Sequence, residues 1–264
     1  MSWSRYLKIW LAQIRYSLVR EMMFKANFLL WLGTETMWFS LQLIFVEVVY
    51  GHVGEVAGWS RYEMILLVGV NHWIQQLFQA FFMVNFFNLP ELIRTGKLDF
   101  YLAQPVSPQF LVSTRLFEPG ALINGALGLG VCGYAILHLG LSITPLGVGL
   151  FILLTGFGVM IHYSLLLALV TLSFWIVRSQ GLIYGYYNLF QISRLPRQAF
   201  KGMVRIIFTF ALPMLLVANV PSEALLGRVN WNLLGVMGGL GTLFFLATHF
   251  LFNRGLRAYG SASS

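Results

Sequence analysis

The side chains that most often carry catalysis are few in this sequence and lie far apart. Asp99 is the only aspartate, so the aspartate-rich motifs that hold Mg²⁺ in phosphate-handling enzymes are absent. The five histidines show no zinc-ligand spacing, and there is no H-E-x-x-H. Residues 95–97, Thr-Gly-Lys, resemble the end of a P-loop, but Leu98 follows instead of Ser or Thr, and Glu91 stands where the first glycine should be. The sequence therefore predicts no metal, cofactor or ATP site in this chain.

Five polar side chains recur at helical spacing in an otherwise apolar segment. Asn71, Gln75 and Gln79 stand at i, i+4 and i+8, and His72 and Gln76 lie beside them, so they share one stripe of a helix. Such a stripe is typical of hydrogen bonding between packed helices, which is the interpretation we favour. The alternative is a polar wall along a substrate path or at a subunit interface.

The composition places these residues in a membrane. Of 264 residues, 58% are hydrophobic and only 10% are charged, whereas soluble domains carry about 25% charged residues. The mean hydropathy is +0.75. The chain is therefore predicted to be an all-α integral membrane protein in contact with lipid. In a membrane protein, a net charge of +8 reflects basic residues that set the orientation of the chain in the bilayer. It does not indicate nucleic-acid binding, so no nucleic-acid partner is expected.

Six windows are long and apolar enough to cross a hydrocarbon core about 30 Å thick. The predicted spans are about 27–50, 62–88, 117–139, 146–177, 203–220 and 231–252. The fourth is long enough to tilt or to project beyond the bilayer. The fifth contains Pro213, so a kinked or re-entrant structure is as consistent with it as a straight helix. Residues 1–25 mix basic and apolar side chains and are predicted to form an amphipathic helix on the membrane surface.

Glu35 lies well inside the first predicted span. A carboxylate at that depth is costly, so we expect Glu35 to be buried, paired or protonated. Two roles stay open for it. One is a structural ion pair or neutral acid, and the other is participation in conformational gating.

The basic residues predict the orientation of the chain. With the N-terminus in the cytoplasm, every Lys and Arg except Arg61 and Arg228 lies on the cytoplasmic side. These include the five basic residues between the fourth and fifth spans: Arg178, Arg194, Arg197, Lys201 and Arg205. Residues 1–264 then form a single membrane domain with both termini in the cytoplasm.

The connection 89–110 is a charged, proline-containing segment between the second and third predicted spans. Pro90 can begin a short helix there, and Gly96 is a natural stop for it. Apolar residues from Leu98 to Leu102 follow, in a segment predicted to be cytoplasmic. A compact element of this kind suits docking to a cytoplasmic partner. The alternative is a loop that lies on the membrane interface.

The stretch RTGKLDFYLAQPVSP, residues 94–108, resembles the cytoplasmic-loop signature of ABC-2 type transporter permeases, in which G-x-L-D-x-x-L-x-x-P-V follows the second span. Gln104 departs from that family, in which arginine is common at this position. Similar pieces follow the family's order along nearly the whole chain: Gly58-Trp59-Ser60, Phe174-Trp175, Arg197 after Pro196, Leu212-Pro213, and residues 220–227.

The resemblance implies a fold like that of type V exporters, with six transmembrane helices and an N-terminal interfacial helix, in the inner membrane of a bacterium. It implies a permease that pairs with a second, identical or homologous permease and with separate ATP-binding cassette subunits, which hold the ATP and Mg²⁺. It also implies that ATPase coupling involves the following loop residues: Glu91, Arg94, Gly96, Lys97, Leu98, Asp99 and Pro105.

Two other classes of function stay open at this point. A membrane-embedded enzyme acting on lipid or glycan needs acids or histidines that converge at one membrane face. A passive channel or scaffold is compatible with the polar stripe but leaves the 89–110 loop unexplained.

Overall fold

The computed structural model of the chain describes residues 3–176 and 180–260. Within these ranges all regular structure is helical, apart from an isolated β-bridge between Val56 and Trp59. The prediction of an all-α protein is confirmed.

The first half of the chain forms seven helices among the described residues. Their bounds are α1 Trp3–Met23, α2 Lys25–Tyr50, α3 Arg61–Phe78, α4 Val84–Arg94, α5 Asp99–Leu102, α6 Pro108–Thr114 and α7 Pro119–Leu139. A wider π-helical segment, Gln79–Met83, joins α3 to α4 without a break.

The second half contains longer spans and more irregular helices. Their bounds are α8 Pro145–Thr171 with a 3₁₀ turn Leu172–Phe174, α9 Gln180–Phe190 with 3₁₀ turns Gln191–Arg194 and Arg197–Ala199, α10 Gly202–Ile206 with a π segment Ile207–Ala211, α11 Met214–Leu225 and α12 Trp231–Ala258.

Local sequence signals set several helix ends. A capping box begins α3, where the side chain of Glu63 accepts the backbone N–H of Ser60 (2.8 Å). Pro119 and Pro145 stand in the first turns of α7 and α8, where the missing N–H costs nothing. Gly140 ends α7 with a φ of 63°, a left-handed conformation that favours glycine.

Four helices in the described part of the chain are long and apolar enough to cross a membrane: α2, α7, α8 with its 3₁₀ turn, and α12. They match four of the six predicted spans. The arms Gly202–Ala211 and Met214–Leu225 pass the same test only as a pair, and they meet at 84°. Of the alternatives left open for 203–220, the bend excludes the straight helix. Pro213 lacks a backbone N–H, and its ring interrupts the helix.

Helix α3 lies at the centre of the bundle. Fourteen of its 18 residues are buried, whereas α2 buries only Phe39 and Val46. It packs against α7, α11, α2 and α8. The predicted span 62–88 is absent from the four apolar spans, and α3 within it carries the polar stripe. Asn71, His72, Gln75 and Gln76 of this stripe are buried, and Gln79 is half-buried.

Glycines allow α3 and α7 to approach closely. A Cβ atom on Gly69 would lie 2.8 Å from Cys132 Sγ and 3.0 Å from the backbone oxygen of Gly128. A Cβ atom on Gly125 would meet the ring of Trp73 at 3.0 Å. Small residues at such a crossing increase van der Waals contact between helix backbones, which is the main attraction between helices in lipid.

A polar network closes the end of the bundle at which α3 begins, called here the Trp59 end. The indole N–H of Trp59 donates to Gln198 Oε1 (3.0 Å), and the Arg197 guanidinium pairs with Glu223 (3.6 Å). The side-chain amide of Gln198 also donates to Glu223 (3.2 Å). The network joins the segment before α3, the 3₁₀ turn after α9, and α11.

The Trp59 end corrects one part of the predicted topology. The sequence predicts a cytoplasmic position for residues 194–205, on the side opposite Trp59 and Glu223. Arg197 and Gln198 contact these two residues directly, so the predicted placement of Arg197 and Gln198 on the opposite side is wrong. Arg178, predicted in the same connection, lies outside the described residues.

Helix α9 and its 3₁₀ turns carry the chain to the Trp59 end. In α9 the Tyr184 ring packs 6.0 Å from that of Phe87 in α4, and further along Ser193 Oγ donates to Asn71 Oδ1 in α3 (2.5 Å). This segment combines a short helix with two 3₁₀ turns and is rich in Tyr and Gln. Its composition therefore does not reveal its path along the bundle.

The close approach of α3 and α7 predicts that Gly128→Val destabilises the chain by about 1–3 kcal/mol through overpacking. A Cβ at Gly128 would lie 3.0 Å from the Gly69 backbone oxygen. Gly130→Val on the same helix is the matched control, because a Cβ there meets nothing within 4 Å. Thermal unfolding of the detergent-purified variants measures the difference. Equal midpoints for the two variants would contradict this packing.

Candidate functional site

A long groove runs beside α3, between α2 and α9. It consists of two cavities of about 800 and 500 Å³ that share Trp31, Glu35 and Tyr187, and it is called here the Glu35 groove. Volumes of about 300–1,000 Å³ are usual for ligand pockets. His72, Gln75 and Gln76 line the larger cavity, Gln79 lines the smaller one, and Asn71 lines neither.

Part of the predicted polar stripe bonds α3 to its neighbours. Asn71 accepts the Ser193 hydroxyl beside α9, as described above. His72 Nε2 lies 3.1 Å from the backbone oxygen of Asn124 in α7, and its ring stacks on Phe39 of α2 at 3.7 Å. These contacts fit the interpretation that the stripe joins helices.

The rest of the stripe faces the groove. Gln75 Nε2 donates to the Tyr187 hydroxyl (3.3 Å) across the larger cavity. Gln76 Nε2 donates to Glu35 Oε2 (3.1 Å) and so links α3 to α2. These side chains fit the alternative interpretation, a polar wall, so the two interpretations apply to different members of the same stripe.

Glu35 and Gln76 meet in the groove. Glu35 is half-buried, and within residues 3–176 and 180–260 it forms no salt bridge. Gln76 is only 1% exposed, and its Oε1 atom has no hydrogen-bond partner in the described structure. The structural ion pair considered for Glu35 is therefore not found among the described residues. The carboxylate faces a cavity instead.

The smaller cavity is acidic and aromatic. Three carboxylates line it, from Glu21, Glu35 and Glu118, and none of its lining residues is Lys or Arg. Arg20 pairs with Glu21 at 3.1 Å, at the edge of the cavity. Aromatic rings complete the wall: Phe28, Trp31, Phe87, Tyr184 and Tyr187.

The predicted coupling residues lie in a compact turn at the opposite end of the bundle from Trp59, called here the Gly96 turn (residues 91–105). Pro90 lies inside α4 and does not begin a helix, because α4 continues unbroken from the π segment to Arg94. Gly96 then reverses the chain with a φ of 70°. The Leu98 N–H donates back to the Leu92 carbonyl (3.1 Å), which closes the turn.

The Gly96 turn buries one predicted coupling residue and exposes the others to different degrees. Leu98 is fully buried in the main apolar core, so it anchors the turn and is not available to a partner. Phe100 is 72% exposed, and Lys97 and Pro105 are also exposed. The carboxylate of Glu91 accepts two hydrogen bonds from Arg94, at 2.9 and 2.7 Å. These two charges therefore balance each other on the surface.

Tyr259, which the sequence does not single out, lies against the Gly96 turn. Burial and the neighbouring Asp99 carboxylate raise the pKa of the Tyr259 hydroxyl. Tyr259 directly follows α12, so the turn lies next to the end of the last helix. Asp99 and Tyr259 stand far apart in the chain, and no local pattern relates them.

Helix α1 packs beside the same end of the bundle. The Tyr6 hydroxyl accepts the backbone N–H of Ser107 (3.3 Å), and the Ser17 hydroxyl accepts that of Phe117 (3.1 Å). The N-terminal helix, the Gly96 turn and the end of α12 thus gather at one end of the bundle.

The described residues thus form an all-helical bundle with several apolar spans, a lateral groove and a compact turn at one end. A model of the ABC-2 family of transporter proteins matches residues 36–263, and the chain belongs to this family. It is a membrane-embedded permease, and the resemblance carried by residues 94–108 is confirmed. Membership of this family implies association with ATP-binding cassette subunits. No curated protein matches the chain.

The two apolar residues of the Gly96 turn should respond differently to truncation. Leu98→Ala is expected to destabilise the chain by about 2–5 kcal/mol, because it leaves a cavity in the core. Phe100→Ala is the matched control within the same turn and should change stability by no more than about 0.5 kcal/mol, since the ring is exposed. Thermal unfolding in detergent distinguishes them. A larger loss for Phe100→Ala than for Leu98→Ala would show that the turn packs differently.

Proposed function

We propose that this permease is the transmembrane subunit of an ATP-driven exporter, that it works as a dimer, and that ATP-binding cassette subunits dock on the Gly96 turn. The observation that carries the proposal is Phe100, an aromatic side chain that the turn exposes beside Lys97. Aromatic side chains that fill a pocket on a partner often dominate a protein interface. ATP and Mg²⁺ would be bound by the partner subunits.

The surroundings of the turn support its proposed role in coupling. Leu98 joins it to the apolar core, and Asp99 lies against Tyr259 at the end of α12. We therefore expect that a displacement of the turn also moves α4, which leads into it, and the end of α12, which contacts it. If the closed ATPase pair binds one arrangement of the turn better than the other, ATP binding shifts the permease between two states.

We propose six membrane crossings that differ from the six predicted from hydropathy in one place. The crossings are α2, α3 with α4, α7, α8, residues 180–199 and α12. The fifth is supported by three contacts along residues 180–199. Tyr184 packs against Phe87 in α4, Ser193 donates to Asn71 midway along α3, and Gln198 accepts from Trp59. Residues 202–225 then form a re-entrant hairpin that enters and leaves at the Trp59 end. Its bend of 84° and the link between Arg197 and Glu223 support this arrangement.

Helix α1 has the surface expected of an interfacial helix. Leu7, Leu11 and Leu18 are exposed and lie on one stripe, and the exposed Lys8 and Arg15 lie beside it. An apolar stripe bordered by basic residues favours the boundary between acyl chains and anionic headgroups. We therefore place α1 on the cytoplasmic surface of a bacterial inner membrane.

The distribution of charge supports a cytoplasmic position for both termini, even though Arg197 lies at the Trp59 end and not on the cytoplasmic side. Basic residues at the Trp59 end are largely balanced by acids: Arg61 pairs with Glu47, Arg197 with Glu223, and Arg228 with Glu63. The basic residues of α1 and of the last turn of α12 are mostly without such partners among the described residues. The excess positive charge therefore lies at the end that carries the termini.

The Glu35 groove is our proposed substrate path or subunit interface. Its polar wall is formed by Gln75, Gln76 and Gln79 from the centre of the bundle, and α2 forms its outer wall. Because α2 buries little of its surface, a second permease or a substrate can reach the groove from the side of α2.

Cysteine labelling tests the proposed topology. In a Cys132→Ser background, Lys201→Cys should react with a membrane-impermeant maleimide added to intact cells, because Lys201 is exposed next to the Trp59 end. Lys97→Cys, exposed on the Gly96 turn, is the matched control and should react only after the cells are opened. Protection of both positions in intact cells would contradict the external placement of residue 201.

Truncation of Phe100 tests the docking proposal. Phe100→Ala should weaken association with the ATP-binding subunits by about tenfold or more, because an anchoring ring is lost, and should lower their transport-coupled ATPase activity. Phe210→Ala, at a ring that is 50% exposed in the re-entrant hairpin, is the control and should leave both unchanged. Co-purification and ATPase assays of reconstituted complexes measure the effect. Wild-type values for Phe100→Ala would refute docking at this turn.

A further inference from the structure

We infer that Gln109 is a positioning residue that joins the Gly96 turn to two of the long apolar helices, α8 and α12. The inference rests on the proposed function, because it states how a movement of the docked turn reaches the membrane. It goes beyond that function in assigning the transmission to one buried side chain and to the two hydrogen bonds that this side chain makes.

The connection between the Gly96 turn and Gln109 is short and conformationally restricted. Pro105 ends the turn, Pro108 begins α6, and Gln109 follows directly. The ring of each proline fixes φ, so the backbone between the two prolines has little freedom to absorb a displacement. The Ser107 N–H donates to the Tyr6 hydroxyl (3.3 Å), which holds this connection against α1. We therefore expect a movement of the turn to reach α6.

Gln109 uses both ends of its side-chain amide to bond two different helices. The residue is only 8% exposed. Its Nε2 atom donates to the Tyr163 hydroxyl in α8 (2.9 Å), and its Oε1 atom accepts a hydrogen bond from His249 Nδ1 in α12 (2.6 Å). Rotating the amide would break both bonds and leave buried polar atoms without partners, so its orientation is fixed. Gln109 is therefore the junction between α6, α8 and α12.

The two partners of Gln109 are themselves held in place. Asn253, one turn further along α12, donates through Nδ2 to His249 Nε2 (3.0 Å). A neutral imidazole has one donor and one acceptor, so His249 carries its hydrogen on Nδ1, where Gln109 accepts it. Ser113, one turn further along α6, places its Oγ atom 2.9 Å from the Tyr163 hydroxyl. Both branches of the junction are thus supported from a second residue.

The ring of Tyr163 extends the junction to α4. Its centroid lies 5.3 Å from that of Phe86 in α4 and 5.8 Å from that of Phe245 in α12. Helices α4 and α6 flank the Gly96 turn in the chain, and both contact Tyr163. A displacement of the turn relative to the bundle must therefore either carry Tyr163 and α12 with it or break the bonds of Gln109.

Gln109→Met tests the inference, because methionine keeps roughly the volume of glutamine and removes both hydrogen bonds. In reconstituted complexes this variant should bind the ATP-binding subunits with the affinity of the wild type, since the docking surface is unchanged. Its transport-coupled ATPase stimulation should fall about tenfold, the factor to which one or two hydrogen bonds correspond. Phe100→Ala has a different signature, because it is expected to lose association as well.

Asn88→Leu is the matched control for the loss of an amide. Asn88 lies in α4 outside the Gly96 turn and is exposed, and its Nδ2 atom donates to the Val84 carbonyl of the same helix (2.9 Å). Removing this bond breaks no link between helices. Association and ATPase stimulation should therefore both stay at the wild-type values.

Tyr163→Phe and His249→Phe each remove one branch of the junction and keep an aromatic ring in its place. Each should retain part of the ATPase stimulation. Adding either change to Gln109→Met should cause no further loss, because the shared link is already broken. Additive losses would show that the three side chains act independently and would overturn the inference. If Gln109→Met does not fold, wild-type stimulation by both single variants overturns it instead.

The wild-type complex is measured first, so the two proposals can fail separately. If the ATP-binding subunits do not bind the wild type or are not stimulated by it, the exporter function fails and the inference fails with it. If the wild type stimulates them and Gln109→Met does so equally, the inference alone fails. Parallel loss of association and stimulation in Gln109→Met would also overturn it, because the residue would then shape the docking surface.

Discussion

The structure depends on enclosing a polar helix at membrane depth. Helix α3 carries amide and imidazole side chains that lipid cannot solvate, and each one left without a partner there costs free energy. The protein meets this constraint by placing α3 at its centre, with α7 drawn in through Gly128 and α9 bonded through Ser193. In the described part of the chain the side of α3 towards α2 stays open, and that opening is the Glu35 groove.

The sequence is sufficient for the parts of the fold that face lipid. Helices α2, α7, α8 and α12 begin close to their predicted limits, because a helix that crosses a bilayer needs a long apolar run. The ends of α8 and α12 are less well predicted, since they lie at Thr171 and Ala258 instead of residues 177 and 252. The crossing that we propose for residues 180–199 is not evident from hydropathy, for the opposite reason. Its tyrosines and amides contact other helices, so hydropathy does not mark it, and the apolar arms around Pro213 were the more apparent span.

In the candidate site, too, features set by local sequence were predictable and features set by tertiary packing were not. The Gly96 reversal and the helical stripe of α3 follow from local rules of conformation and spacing. The pairing of Gln76 with Glu35, 41 residues away, is set by the packing of α2 on α3. The burial of Leu98 is likewise set by tertiary packing, since an apolar residue in a loop can either pack into the core or remain exposed for binding a partner.

The network at the Trp59 end has a consequence for the mechanics of the re-entrant hairpin that we propose for residues 202–225. Gln198 and Glu223 stand 25 residues apart in the chain, yet their side chains bond at its two feet, with the pair of Arg197 and Glu223 beside them. The interaction works as a noncovalent staple that closes a loop, and loop closure becomes only slightly more costly as a loop grows. A hairpin stapled at its base can tilt or deepen as one body, but neither arm can be drawn through the membrane while the other stays.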